Sequence, residues 1–350
     1  MISYKWYLKD GYPEKKDIKV FGTFICGGGS SMGYKLAGCN HLGGVEIDSS
    51  LEDMYKVNHN PKYYYLQDIR DFVKRDDLPE ELYNLDILDG SPPCSTFSVA
   101  GEREEGWNKK KVFREGQKAQ RLDDLFFVWI QLVEKLKPKY AIAENVKGML
   151  VGNAKAYTKR IVEKLNEIGY EVQIVLLKGS EIGLPQRRER VFFICRQKGF
   201  PAVDCNIEKQ KEIPYKYIKN NKMFRSLGKV TYDYWSKRIS SDRCLADITK
   251  REYNKNSGFN HIFAKDNLVL PTITASTRPL KFDLPTYLTD EEIMLAFSFP
   301  LDYDFKKIDP AYVMGMSVPP LMMYVIADKV VKAIEKEKEL TEKKAVKINE

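Results

Sequence analysis

Apolar and polar positions follow two rhythms along the first two hundred residues. Short runs rich in β-branched and aromatic residues have the length of strands: "IKVFGTFI", "LGGVEID", "YYYLQDI", "LYNLDILD", "YAIAENV", "YEVQIVLL" and "RVFFICRQ". Between them stand segments with apolar residues every three or four positions, "SSMGYKLAG", "AQRLDDLFFVWIQLVEKLKP" and "AKAYTKRIVEKLNEIGY", which predict helices. Strand–helix alternation of this kind predicts an α/β fold with a doubly wound sheet and ligands beyond the carboxyl ends of its strands. The rhythm stops after Gln197. Residues 198–268 are rich in Lys, Asn and Tyr, and apolar patterning returns with "LTDEEIMLAFSFP" and "YVMGMSVPPLMMYVIADKVVKAIEKE", the latter a strong helical pattern. The tail, 336–350, is highly charged and expected to fray.

Charge sharpens the picture in one place. Between Arg196 and Asp266 there are sixteen Lys/Arg against eight Asp/Glu, a surplus of eight that equals the net charge of the whole 350-residue chain. Either this stretch is a solvated insert, or it is a nucleic-acid-reading module in which basic side chains meet phosphates and a few others reach base edges. No apolar run approaches the ~20 residues of a membrane span, and the first residues lack the apolar stretch of a signal peptide. Six scattered cysteines without a CxxC pair, and only three histidines, disfavour a metal site and fit reduced thiols in a cytoplasm.

Within the strand–helix region, "LDILDGSPPCSTFS" places two prolines directly before Cys94, so the backbone entering that cysteine is stiff. An inert buried thiol is the plain alternative to a nucleophile. "TFICGGGSSMG" joins the first strand to the first helix, where glycines permit a tight turn and close approach of a ligand. Glu46 follows at the end of the next strand, placed for ribose hydroxyls. These features point to an adenosine-containing cofactor without separating NAD from S-adenosyl-L-methionine. Asp68 is either an acceptor for an adenine amino group or a capping residue. Glu144 ends a further strand in "AIAENVKG", and in "GLPQRRERVFFI" Arg188 and Arg190 alternate along an extended segment.

Taken in order, these stretches resemble the DNA (cytosine-5) methyltransferases. "TFICGGGSSMG" is similar to the family's cofactor loop, "VEID" to its ribose-binding strand end and "QDI" to its adenine-contacting motif. "GSPPCSTFS" resembles the nucleophile motif, "ENV" the catalytic-glutamate motif, "QRRER" the arginine motif, and "LTDEEIMLAFSFP" and "GMSVPP" the last two blocks. The resemblance runs from residue 21 to about 332. It implies a class I S-adenosylmethionine-dependent methyltransferase fold, with the catalytic domain over 1–197, a smaller target recognition domain over 198–268, and 269–335 returning to the catalytic domain.

The same resemblance implies roles for individual residues. Phe24 stacks near the adenine, Gly28 and Gly29 border the methionine part, Glu46 binds ribose, and Asp68 takes the adenine amino group. Ile47 and Ile69 pack beside the ring, Leu125 lines the cofactor, and Ser317 and Val318 close the pocket. Cys94, Glu144 and Arg188 are catalytic, and Arg190 orders the catalytic region. The chain departs from the family pattern at Gly22, which stands at a usually acidic position, at Cys26, which replaces a glycine, and at Ser95, Leu295 and Met316.

The implied reaction moves a methyl group from S-adenosyl-L-methionine, leaving S-adenosyl-L-homocysteine, to C5 of a cytosine in duplex DNA, with no metal. Cys94 adds to C6, helped toward its thiolate by positive charge such as that of Arg188. Glu144 hydrogen-bonds at N3 and the exocyclic amine, and water takes the C5 proton. The stacked base is out of reach of a thiol, so it must be flipped out. The polar run after Cys94 is expected to close over it and to touch phosphates through Lys109, Lys110 and Lys111. An RNA-directed enzyme of the same fold is the runner-up; the long basic region favours duplex DNA. A monomer is expected, with a restriction endonuclease as a functional rather than physical partner and no membrane association.

Overall fold

The computed structural model describes residues 3–93, 124–152, 154–256 and 261–349. Cys94, Ser95 and the loop lysines Lys109, Lys110 and Lys111 lie outside them. The chain forms two units: Tyr12–Leu177, Glu189–Ile207 and Met323–Glu350 in the larger, and Met1–Gly11, Lys178–Arg188 and Glu208–Met322 in the smaller.

The larger unit runs β1 (Lys19–Thr23), α1 (Gly29–Leu36), β2 (Asn40–Glu46), α2 (Glu52–His59), β3 (Tyr63–Leu66), α3 (Ile69–Phe72), β4 (Ile87–Gly90), α4 (Leu125–Leu136), β5 (Tyr140–Val146), α5 (Ala154–Glu167), β6 (Tyr170–Lys178) and β7 (Glu189–Gln197). Its seven strands lie in the order β3-β2-β1-β4-β5-β7-β6. The first five strands pair in parallel, whereas β7 runs antiparallel to β5, with Glu144 opposite Phe192 and Val146 opposite Arg190. One face of the sheet is packed by α4, whose Phe126, Trp129, Ile130 and Val133 share a core with Leu88, Ala141, Ala143 and Phe193. Gly90 is confined there: a Cβ on it would lie 2.4 Å from Trp129 Nε1. Strand order reverses between β1 and β4, and the loops leaving these two neighbours carry the glycine cluster and the Pro-Pro-Cys segment. A reversal point of this kind opens a crevice beyond the carboxyl ends of the strands.

The smaller unit contains α6 (Lys229–Ser236), α7 (Leu245–Tyr253), the two-stranded pair β8 (Phe263–Ala264) and β9 (Leu280–Lys281), α8 (Asp290–Phe297) and α9 (Pro310–Met316). Trp235, Leu245, Ile248, Phe263, Leu280 and Tyr287 form a core of their own. Its limits differ from the expected 198–268. Residues 198–207 stay with the larger unit, following β7, which lies in the sheet between β5 and β6, and 178–188, expected in the catalytic domain, fall in the smaller one. Residues 269–322 join the smaller one, because β9 and the Thr289–Glu292 capping box of α8 belong to its packing.

The pattern over 312–337, which suggested one helix, divides into α9 and α10 (Pro320–Asn349), interrupted at Ser317–Pro319. Proline removes an amide donor and clashes with the preceding turn, so Pro319 and Pro320 stop one helix and start the next. The charged tail expected to fray is helical to Asn349. Its beginning is fastened by Glu335 to Lys16 and by Lys338 to the carbonyl of Asp17. The stretch Pro310–Lys343 is long and apolar enough to span a membrane by length and composition alone. Two thirds of its apolar window is buried in the fold, as in a core helix.

Candidate active site

The loop after β1, the candidate cofactor turn, has a strained backbone. Phe24 and Cys26 both adopt left-handed backbone conformations, at φ 57° and 44°, and Gly28 follows at 69°. Such conformations cost a non-glycine residue about 1–2 kcal/mol and persist only where the surroundings hold them. Glu46, buried at the end of β2, supplies the hold: one carboxylate oxygen accepts the Cys26 amide at 2.8 Å and the other the amides of Ile47 and Asp48 at 2.9 and 3.0 Å. Cys26 thus holds a left-handed conformation that favours glycine. Burial pushes the Glu46 carboxyl upward, and the three amides oppose that shift.

Gly28 caps α1 and touches the His59 imidazole, itself stacked on Tyr55 at 4.3 Å; a Cβ at this position would stand 2.0 Å from His59 Nε2. Gly28→Ala is therefore expected to displace the loop and weaken cofactor binding at least about tenfold, the equivalent of ~1.4 kcal/mol. Parental affinity by calorimetry in a folded variant would remove this loop from the cofactor site.

Asp68 caps α3 by accepting the Arg70 amide at 2.8 Å, and its other oxygen pairs with the Arg70 guanidinium at 3.0 Å. Arg70 reaches on to Asp124, the residue before Leu125, at 3.1 Å. Ile69 and Leu125 are buried, Phe24 packs against the same core, and Ile47 is 42% exposed beside Glu46. Arg70 had no signal in the sequence, since its role comes from bridging two acids more than fifty residues apart.

The acid and the segment leading to the thiol meet on β5. Asn145, next to Glu144, donates from Nδ2 to the carbonyl of Pro92 at 3.1 Å, two residues before Cys94. Glu144 accepts Arg190 Nε at 2.8 Å, with both side chains nearly buried. The diagonal pairing follows from the register, which sets Glu144 opposite Phe192, two positions from Arg190 on the same face. Arg188, expected to share that direction, has other partners: its guanidinium donates to the carbonyls of Ile273, Gly315 and Ser317 at 3.0–3.1 Å and lies 5.1 Å from the Phe297 ring centre. Ser317 and Val318 are buried in the smaller unit, where Ser317 Oγ donates to the Val313 carbonyl at 2.8 Å.

Asp89 is a buried acid near Glu144 that the pattern did not single out, although an acid inside a fully buried strand was visible. It faces α1, accepting Tyr34 Oη at 3.0 Å with Ser30 also bonded to it, and it feels the charge of Glu144 on the neighbouring β5. Burial above all, and then Glu144, push its carboxyl up to about 7. Because the folded value exceeds the ordinary one near 4, the fold favours the protonated acid. Its stability contribution is full below pH 4 and is lost as pH rises through 7. Asp89→Asn should therefore gain stability relative to the parent between pH 5 and pH 8, by about 2.5 kcal/mol. Urea unfolding at the two pH values would show this, and a pH-independent difference would count against it.

The mostly parallel sheet with its antiparallel seventh strand, flanking helices and smaller unit define a class I S-adenosylmethionine-dependent methyltransferase. Within that class, the chain belongs to the C-5 cytosine-specific DNA methylase family, whose model matches residues 18–332. It is 27% identical to the Type II methyltransferase M.FnuDI of Fusobacterium nucleatum, over 94% of this chain and 97% of that one. It is 26% identical to M.NgoPII of Neisseria gonorrhoeae, over 91% and 97%. A crystal structure of a DNA modification methyltransferase encoded within an E. coli prophage shares the fold at a TM-score of 0.64 and 19% identity, over 91% of this chain and all of that one. Spodoptera frugiperda DNMT2 shares it at 0.61 and 15%, over 90% and 100%.

The protein is thus an enzyme that methylates C5 of cytosine in double-stranded DNA from S-adenosyl-L-methionine through the family's cysteine mechanism. The described residues fit that cofactor: the glycine turn has no room for a side chain at Gly28, and the Glu46 carboxylate keeps acceptor capacity beyond its three amides. Among the described residues, no group of three or more His, Cys, Asp and Glu is placed to hold a metal.

Proposed function

We propose that this is a sequence-specific modification enzyme in which Cys94 attacks C6 of a flipped-out cytosine while Glu144 supports the charge that moves to N3 and the exocyclic amine. The observation that carries this reading is the bond from Asn145 to the Pro92 carbonyl, because it ties the stiff segment entering Cys94 to the residue beside Glu144. Addition of a thiolate to C6 makes C5 an enamine-like carbon able to attack an electrophile. S-adenosyl-L-methionine supplies that electrophile, a methyl group on a sulfonium sulfur. Phe24, Gly28, Gly29, Glu46, Ile47, Asp68, Ile69, Leu125, Ser317 and Val318 are the residues that would hold it.

Arg190 orients the Glu144 carboxylate through its Nε contact, and burial of the pair keeps water from competing for it. Arg188 acts on the backbone, fixing the carbonyls of Gly315 and Ser317 in the block that contains Ser317 and Val318. Water takes the C5 proton, and elimination of Cys94 restores the ring. We assign target reading to the smaller unit, which holds 208–268 of the basic stretch. We further propose a monomer acting in a prokaryotic cytoplasm, beside an endonuclease that it does not bind; the Type II names of the relatives support that setting.

The test is methyl transfer from labelled cofactor to unmethylated duplex DNA and to transfer RNA, followed by methylome sequencing of a host expressing the protein. Label in duplex DNA at cytosines of one short sequence is the expected result. Label confined to transfer RNA, or cytosines methylated without sequence preference, overturns the proposal.

A further inference from the structure

In the smaller unit, residues 221–230 form an exposed run of which all but Leu227 are exposed. Its apolar side chains are presented outward: Met223 is 52%, Phe224 38% and Val230 58% exposed, and Tyr232 on α6 is 50% exposed. Lys222, Arg225 and Lys229 alternate with them. Left to itself, such a segment would fold its apolar groups inward. Here its backbone is fastened from beneath by polar side chains that are themselves buried.

Lys281 and Glu292, both fully buried, pair at 3.0 Å. Lys281 Nζ donates to the carbonyls of Asn220 at 2.6 Å and Lys222 at 3.0 Å, while Glu292 accepts the Asn220 amide at 2.9 Å and Tyr215 Oη at 2.7 Å. Thr286, also buried, accepts the Phe224 amide at 3.0 Å and donates to the Arg225 carbonyl at 2.9 Å. Taking an ammonium and a carboxylate out of water is costly, and apolar residues of like volume often serve stability as well or better. What apolar residues cannot do is hold these backbone groups in place. The buried pair therefore gives the run one fixed shape before any partner arrives.

The aromatic groups are set as firmly. The Arg278 guanidinium, anchored by Asp290 and Asp309, lies 3.9 Å from the Phe224 ring centre, and that of Arg225 lies 4.8 Å from the Tyr287 ring centre. Several other cations of the basic stretch are engaged. Lys219 pairs with Asp266 and Asp283, Lys237 with Asp233, Arg243 with Asp247 and Arg251 with Asp242, while Arg238 stacks 3.3 Å from the Trp235 ring centre. Among the described residues, no carboxylate pairs with Arg225 or Lys229.

We propose that Lys222–Tyr232 is the base-reading edge of the target unit. Met223 and Phe224 meet the apolar parts of bases, Arg225 donates to a base edge, and Lys229 meets a phosphate. Lys222 pairs with Glu291 and Arg225 lies over Tyr287, but Arg225 and Lys229 have no carboxylate partner among the described residues. Preorganised apolar groups interleaved with such cations match a DNA groove, where base edges and thymine methyls lie between two rows of phosphates. The inference rests on the reading that the enzyme recognises a sequence in duplex DNA.

The full-length protein and its Met223→Ala, Phe224→Ala, Arg225→Ala and Lys229→Ala variants would be compared on the target duplex and on duplexes with one base pair changed, with thermal unfolding as a check. Phe224→Ala and Arg225→Ala should lower the ratio of kcat/KM for target over altered duplex by about 10- to 100-fold, and Met223→Ala should lower it less. Lys229→Ala should weaken both duplexes alike and reduce the slope of log affinity against log salt by about one unit. Lys237→Ala, at a cation already paired, should change neither. Met223→Ala removes a half-exposed side chain, so the test does not depend on a variant that fails to fold. Parental discrimination in every folded variant overturns this inference alone, as does a change confined to transfer RNA. Absence of sequence-selective transfer to duplex DNA by the parent overturns the functional reading along with it.

Discussion

Cys94→Ala is expected to abolish methyl transfer, by more than about 10⁴-fold or ~5.5 kcal/mol, while leaving S-adenosyl-L-methionine affinity within about threefold of the parent. Cytosine C5 is too weak a nucleophile to take a methyl group unless C6 first carries a covalent partner, and an alanine methyl group cannot become one. Serine at this position would also fail, because an alkoxide is far less accessible than a thiolate near neutral pH. Cofactor affinity should survive because its candidate contacts belong to other elements. The glycine turn leaves β1, Glu46 ends β2 and Asp68 caps α3; Glu46 accepts the Cys26 amide and Asp68 the Arg70 amide. Calorimetry and labelled transfer on the same preparation would check this. Parallel loss of affinity and activity in a folded variant would give Cys94 a structural role.

Much of this organisation was legible because it rests on local pattern. The strand runs appear as β1 to β7, and the helices after "SSM", "DDL" and "AKA" as α1, α4 and α5. The α2 helix was missed, since "EDMYKVNH" has too few apolar positions to show a face and owes its burial to Met54, Tyr55 and His59. The antiparallel course of β7 was also hidden, because direction is a property of pairing rather than of the strand's own residues. Arg188 and Arg190 read alike in sequence, yet one donates to three backbone carbonyls and the other pairs with a carboxylate. The charge surplus in 198–268 was a sum over residues. Most of the cations from Lys219 to Arg251 are engaged with acids or rings, so the sum could not say which remain available to a phosphate. The buried Lys281–Glu292 pair joins residues eleven apart, and neither residue type announces burial.

Glu144→Gln is expected to slow methyl transfer well beyond tenfold, more than ~1.4 kcal/mol, with DNA affinity little changed. Glutamine keeps the length and one acceptor oxygen of glutamate but cannot carry the negative charge that answers the charge shift at N3. It also leaves the Arg190 guanidinium, nearly buried and 2.8 Å away in the parent, without its counter-charge. Removing one partner of a buried pair typically destabilises by about 3–5 kcal/mol, so a lower rate in Glu144→Gln alone has two readings. The double variant Glu144→Gln with Arg190→Met separates them. Methionine fills the space of the arginine stem without a charge, so unfolding stability should recover toward the parent. The rate should not recover, because the carboxylate is still absent. Recovery of both would make Glu144 a purely structural partner of Arg190. A single Glu144→Gln variant within about threefold of the parental rate would remove it from the chemistry altogether.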